Sequence, residues 1–157
     1  IERMNVDGAA TIEIANPMSE NYQFVRPSII PSLLSAEMVS GNAVYPHRTF
    51  ETGKIAYLAP EENTGTRTRQ SLGFLTASQD ANFNEAASHI AGLLYYLGFG
   101  YQVKETHDPR FIEGRQAGIL LEDRQIGIFG ELHPQVLENW SITVPTFAGE
   151  LDIEMLL

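Results

Sequence analysis

At 157 residues and 17.4 kDa, 43% hydrophobic and 19% charged, the chain has the composition of one compact globular domain, not of a collagen, a coiled coil or a disordered segment. Apolar runs such as Ile119-Leu120-Leu121 are far shorter than the roughly 20 residues of a membrane-spanning helix, so a soluble protein is expected. Ten Lys+Arg against twenty Asp+Glu leave a net charge of -10, which argues against a surface that grips nucleic acid through its phosphates.

In chain order, Thr11 to Ala15 alternates like a half-buried strand and Asn16-Pro17 ends it, with a loop through Ser19-Glu20-Asn21. The run from Ser28 to Ser40 sets Ile30, Leu33, Leu34 and Met38 on one helical face, with Pro31 in the first turn and Gly41-Asn42 as a stop. Arg48 to Leu58 reads as a strand in which Gly53 marks a bulge or a close approach. An exposed loop over Ala59 to Thr68 then leads to a returning antiparallel strand, Gln70 to Ala77.

Phe83, Ala87, Ile90, Leu94 and Leu97 recur at helical spacing, with Asn82 and Glu85 as a capping-box variant and Gly98 as the stop. Strands are expected at Tyr101 to Thr106, Gln116 to Leu121 and Gln125 to Gly130, the last two joined by a turn at Glu122-Asp123-Arg124. His133-Pro134 opens a short helix to about Asn139, and Phe147 to Ile153 is a last strand. Hairpin-linked strands with interspersed helices predict an α+β fold with a largely antiparallel sheet over a single domain, residues 1-157.

Cysteine is absent, which removes disulfides, thiolate metal sites and cysteine nucleophiles. The histidines His47, His89, His107 and His133 have no metal-ligand spacing, so no metal site is expected. Glu131 and His133, after an apolar strand, could do acid-base work, or His133 could cap the helix that Pro134 starts. Arg67, Arg69, Arg110 and Arg115 could hold an anion or stand solvated. Glu150, Asp152 and Glu154 fall on alternate positions of the last strand, and three like charges predict a solvent-exposed or partner-facing edge. The N-terminus carries no targeting pattern, so a cytoplasmic location is expected. A start at Ile1 and an apolar end at Met155-Leu156-Leu157 read as a piece of something longer.

Five blocks in order resemble the phenylalanyl-tRNA synthetase beta subunit: Asn16 to Ser19 (NPMS), Val25 to Leu34 (VRPSIIPSLL), Thr49 to Gly53 (TFETG), Gly127 to Pro134 (GIFGELHP) and Gly149 to Glu154 (GELDIE). The short acidic form looks most like the archaeal or eukaryotic type. The resemblance implies a C-terminal catalytic-like domain of the class II aminoacyl-tRNA synthetase fold, an antiparallel sheet flanked by helices. It also implies a pseudo-catalytic role beside an alpha subunit that charges tRNA(Phe) with phenylalanine using ATP and Mg²⁺, in an assembly of two alpha and two beta chains. Editing and metal-binding regions would lie upstream of Ile1.

The residues allow an independent check of that role. A class II ATP site needs arginines, because guanidinium groups pair with phosphates. Laying the second class II motif on Phe50 to Tyr57 puts Tyr57 at its arginine. Laying the third on Glu150 to Met155 puts acids at both glycines and Met155 at the arginine, and no Arg or Lys occurs from Glu131 to Leu157. No catalytic residue and no cofactor is therefore assigned to this domain, which would buttress the alpha subunit. Ile30, Leu33, Leu34 and Met38 are the candidates for core or contact, little direct tRNA contact is expected, and the excised fragment could self-associate. Two other readings stay open: a free-standing ligase or hydrolase, or a small-molecule binding module, with a site near Glu131 and His133.

Overall fold

A computed structural model of the chain describes residues 2-6, 11-19, 23-40 and 43-156. The expected stop at Gly41-Asn42 and part of the loop at Ser19-Glu20-Asn21 lie outside them. A 3-10 turn, Glu2–Met4, comes first, followed by β1 (Ile12–Glu13), β2 (Phe24–Val25) and α1 (Ile30–Val39). Next come β3 (His47–Leu58), β4 (Thr66–Ala77), α2 (Phe83–Leu97), β5 (Gln102–Lys104), β6 (Phe111–Leu121) and β7 (Arg124–Leu132). α3 (Pro134–Asn139), β8 (Thr146–Asp152) and a 3-10 turn, Ile153–Leu156, complete the order.

β1 and β2 form a separate two-stranded ribbon. The main sheet has six strands in the order β3-β4-β8-β7-β6-β5, every neighbouring pair antiparallel. β8, last in sequence, is thus inserted between β4 and β7 and is buried along almost its whole length. This is the α+β architecture expected, with helices on both faces of an antiparallel sheet. Among the described residues no helix is long and apolar enough to cross a membrane.

Each face has its own apolar cluster. Ile30, Leu33 and Leu34 of α1 pack on Ile55, Leu75 and Ala148, joined by Met4 and by Val136 of α3. On the other face, Ile90 and Leu94 of α2 pack on Phe129, Phe147 and Leu151. α2 is built as its sequence dictates. Asn82 Oδ1 accepts from the Glu85 N–H at 3.1 Å, and Gly98 ends the helix at φ 80°, a left-handed conformation that glycine adopts without a Cβ penalty.

The helical face of α1 is rotated from the one expected. Its buried residues are Ile30, Leu33, Leu34 and Glu37, whereas Met38 is exposed. Hydropathy favours Met over Glu at an inward position, but His47 Nδ1 at the start of β3 lies 2.9 and 3.0 Å from the two Glu37 oxygens and satisfies the buried acid. The helix also starts later than expected, at Ile30.

Other boundaries moved for similar reasons. The strand expected at Thr11 to Ala15 shrinks to two residues because β2, with which it pairs, is equally short. β6 begins at Phe111, five residues early, because Phe111 opposes Leu132 across a register shift that the alternation pattern does not carry. The β6-β7 turn is Glu122-Asp123, both at positive φ, with Arg124 already in β7. The last strand ends at Asp152, so Glu154 lies in the following turn and not on the strand.

The two sides of α1 should respond very differently to truncation. Leu34→Ala, at a position with no exposed surface, should cost about 2-5 kcal/mol. Val39→Ala, on the outer side, should stay within about 0.5 kcal/mol. Urea unfolding of the two variants measures the contrast.

Candidate functional site

The segments laid on the second and third class II motifs lie on β3 and at the end of β8, separated by β4. In a β-strand alternate residues share a face, and directly paired residues share it too. Ile55 belongs to the α1-side cluster, so Tyr57, Arg67, Arg69, Ser71 and Glu150 face the same side. There a cavity of about 210 Å³ is bordered by Pro27, Ser28, Arg69, Arg110, Gln125 and Glu150.

Glu150 closes this site from within. It is only 6% exposed, which overturns for this residue the expectation of a solvent- or partner-facing acidic edge, whereas Asp152 is half-buried and Glu154 exposed. The physical reason is the insertion of β8 into the sheet and the seating of α1 across it. Ser28 Oγ donates to Glu150 Oε2 at 2.5 Å, and the Ile29 N–H donates to Oε1 at 3.2 Å. Ser71 Oγ lies 2.9 Å from Oε1 and 3.0 Å from the Leu151 carbonyl. α1 has no acidic residue in its first turn and no cap from the side chain of Ile29. Glu150 therefore supplies the negative charge that a helix N-terminus favours, at the place where an external anion could otherwise bind.

The arginines on this side are committed to carboxylates. Arg69 Nη1 is 3.6 Å from Asp152 Oδ2, and its guanidinium carbon lies 5.4 Å from the centre of the Tyr57 ring. Arg110 binds both oxygens of Asp108, with a shortest contact of 2.7 Å, and donates from Nη1 to Ser28 Oγ at 3.0 Å. Arg67 reaches Glu62 at 4.0 Å. Around the cavity, two arginines face three carboxylates, those of Asp108, Glu150 and Asp152, a balance that repels a polyphosphate. The phenol of Tyr57, at the position laid on the second-motif arginine, adds no positive charge.

Burial pushes the Asp108 carboxyl upward, but the hydrogen bond and charge of Arg110, its backbone N–H and the nearby His107 outweigh it and hold the group below its ordinary value.

Glu131 and His133 do not assemble into a shared acid-base pair; the hydrogen bonds commit each to a different partner. Glu131 Oε1 accepts from the Phe83 N–H at the start of α2 at 2.8 Å, and Oε2 accepts from Arg115 Nη1 at 2.7 Å. His133 Nδ1 accepts from the Gln135 N–H and caps α3. The histidines stand apart: His47 on Glu37, His89 against the rings of Phe74 and Phe147, His107 exposed and His133 at its cap. Among the described residues, no three His, Asp or Glu side chains gather as a metal would need. Of the four apolar candidates, the structure places Ile30, Leu33 and Leu34 in the core and Met38 at the surface.

Sequence reasoning missed the role of Arg26. Its guanidinium binds Glu51 at 2.6 Å, Ser32 Oγ at 3.0 Å and the Lys54 carbonyl at 3.2 Å, and a Cβ on Gly53 would overlap it. Gly53 is thus the close-approach point that the strand pattern marked. The signal that could have found this was the pairing of the VRPS and TFETG blocks themselves.

A family model described as "Phenylalanyl tRNA synthetase beta chain CLM domain" matches residues 1-153. The chain is 58% identical over 155 residues to the phenylalanine-tRNA ligase beta subunit of a strain of Treponema pallidum subsp. pallidum, covering 99% of this chain and 26% of that protein. It is 43% identical over 157 residues to the same subunit of a strain of Borrelia recurrentis, covering 100% of this chain and 28% of that protein. The chain thus spans about a quarter of the length of these curated bacterial relatives. Among solved structures, the pyrrolysyl-tRNA synthetase PylSc of Desulfitobacterium hafniense superposes with a TM-score of 0.71 at 14% identity, covering 94% of this chain and 52% of that one. The fold is that of a class II aminoacyl-tRNA synthetase.

Two outcomes test the site. Glu150→Ala strips Ser28, Ile29 and Ser71 of a shared acceptor and should cost about 2-3 kcal/mol, against about 1 kcal/mol or less for Asp152→Ala. For Asp108 the folded value is the lower one. Its contribution is therefore complete above the ordinary value of 3.8 and is lost as the pH falls through the folded value. Asp108→Asn should remove that part of the acid dependence, read from urea midpoints taken below and above that range.

Proposed function

The chain belongs to the phenylalanyl-tRNA synthetase beta chain CLM domain family, and on that premise we propose that it is a non-catalytic domain of a beta subunit. It buttresses an alpha subunit that activates phenylalanine with ATP and Mg²⁺ and charges tRNA(Phe). The finer parts of the proposal are a C-terminal catalytic-like domain over residues 1-157, an assembly of two alpha and two beta chains, and a cytoplasmic location. The archaeal or eukaryotic type belongs with them, supported by the acidic balance of the chain, although the relatives above are bacterial.

One observation carries the non-catalytic reading. Where the segments laid on the second and third class II motifs come together on the sheet, the cavity is bordered by the chain's own Glu150 and Ser28, bonded to each other at the start of α1. Each nearby arginine already has a carboxylate partner. A synthetase needs those guanidinium groups for charge that develops on the phosphoryl groups, and here they stabilise the fold instead. The apolar residues of α1 serve the core, so contact with the alpha subunit falls to outward residues such as Met38.

Calorimetric titration of the folded chain with Mg-ATP, with and without phenylalanine, should give no heat of binding. Stoichiometric micromolar binding would overturn the non-catalytic reading. Co-expression of a whole beta subunit containing this chain with the cognate alpha subunit should yield a complex that charges tRNA(Phe), and substitution of Glu131 or His133 should affect its stability more than its turnover number.

A further inference from the structure

We draw no further inference here: the strongest candidate, the hollow of about 540 Å³ between α3 and β6 bordered by Ile112, Leu137 and Pro145, carries nothing, because the Arg115 guanidinium at its rim is already bound to Glu131 and nothing in the structure shows what covers its apolar wall.

Discussion

The buried carboxylate of Glu150 holds the first helix to the sheet. It takes hydrogen bonds from Ser28, Ile29 and Ser71, residues that lie 122, 121 and 79 positions away in sequence. Removing a charged group from water is costly unless its lone pairs are satisfied, so the contact fixes three segments at once. The start of α1, the middle of β4 and the end of β8 must arrive together. The apolar packing of Ile30, Leu33 and Leu34 on the sheet follows from that placement.

Glu131 does for α2 on the opposite face what Glu150 does for α1. It sits on β7, directly opposite Phe147 of β8, and accepts from the first N–H of α2. Neighbouring strands thus each send a glutamate to a helix N-terminus, one to either side of the sheet. Helix dipoles favour such pairing, and here both carboxylates come from strands remote in sequence. The same solution has a chemical consequence. A helix start and an arginine-bearing sheet face would each attract an anion, and the chain has supplied its own carboxylates there.

The blocks by which the sequence resembles its family are largely the residues that make these tertiary contacts. Arg26 and Ser28 precede α1, while Glu51 and Gly53 receive the Arg26 guanidinium. Glu131 and His133 start α2 and α3, and Glu150 starts α1. The sequence pattern offered Gly53 as a bulge or a close approach and His133 as a cap or an acid-base group, and the readings that held are the local ones: one is a missing Cβ, the other a side chain two residues before the N–H it meets. It could not place Glu150, because strand alternation assigns faces without saying which face is covered.

Local chemistry was legible from residues alone. Helix α2 with its Asn82 cap and Gly98 stop, the β3-β4 hairpin and the short α3 follow from spacing, caps and turns within a few residues. So did the missing positive charge after Glu131, a matter of composition. Tertiary structure decided the rest. It put Glu37 inward in place of Met38 because His47 was there to meet it, and it buried Glu150 because β8 entered the middle of the sheet. It also turned Glu131 from a candidate acid into a helix anchor. In each case a polar group's burial depends on a partner far along the chain, and hydropathy has no information about partners.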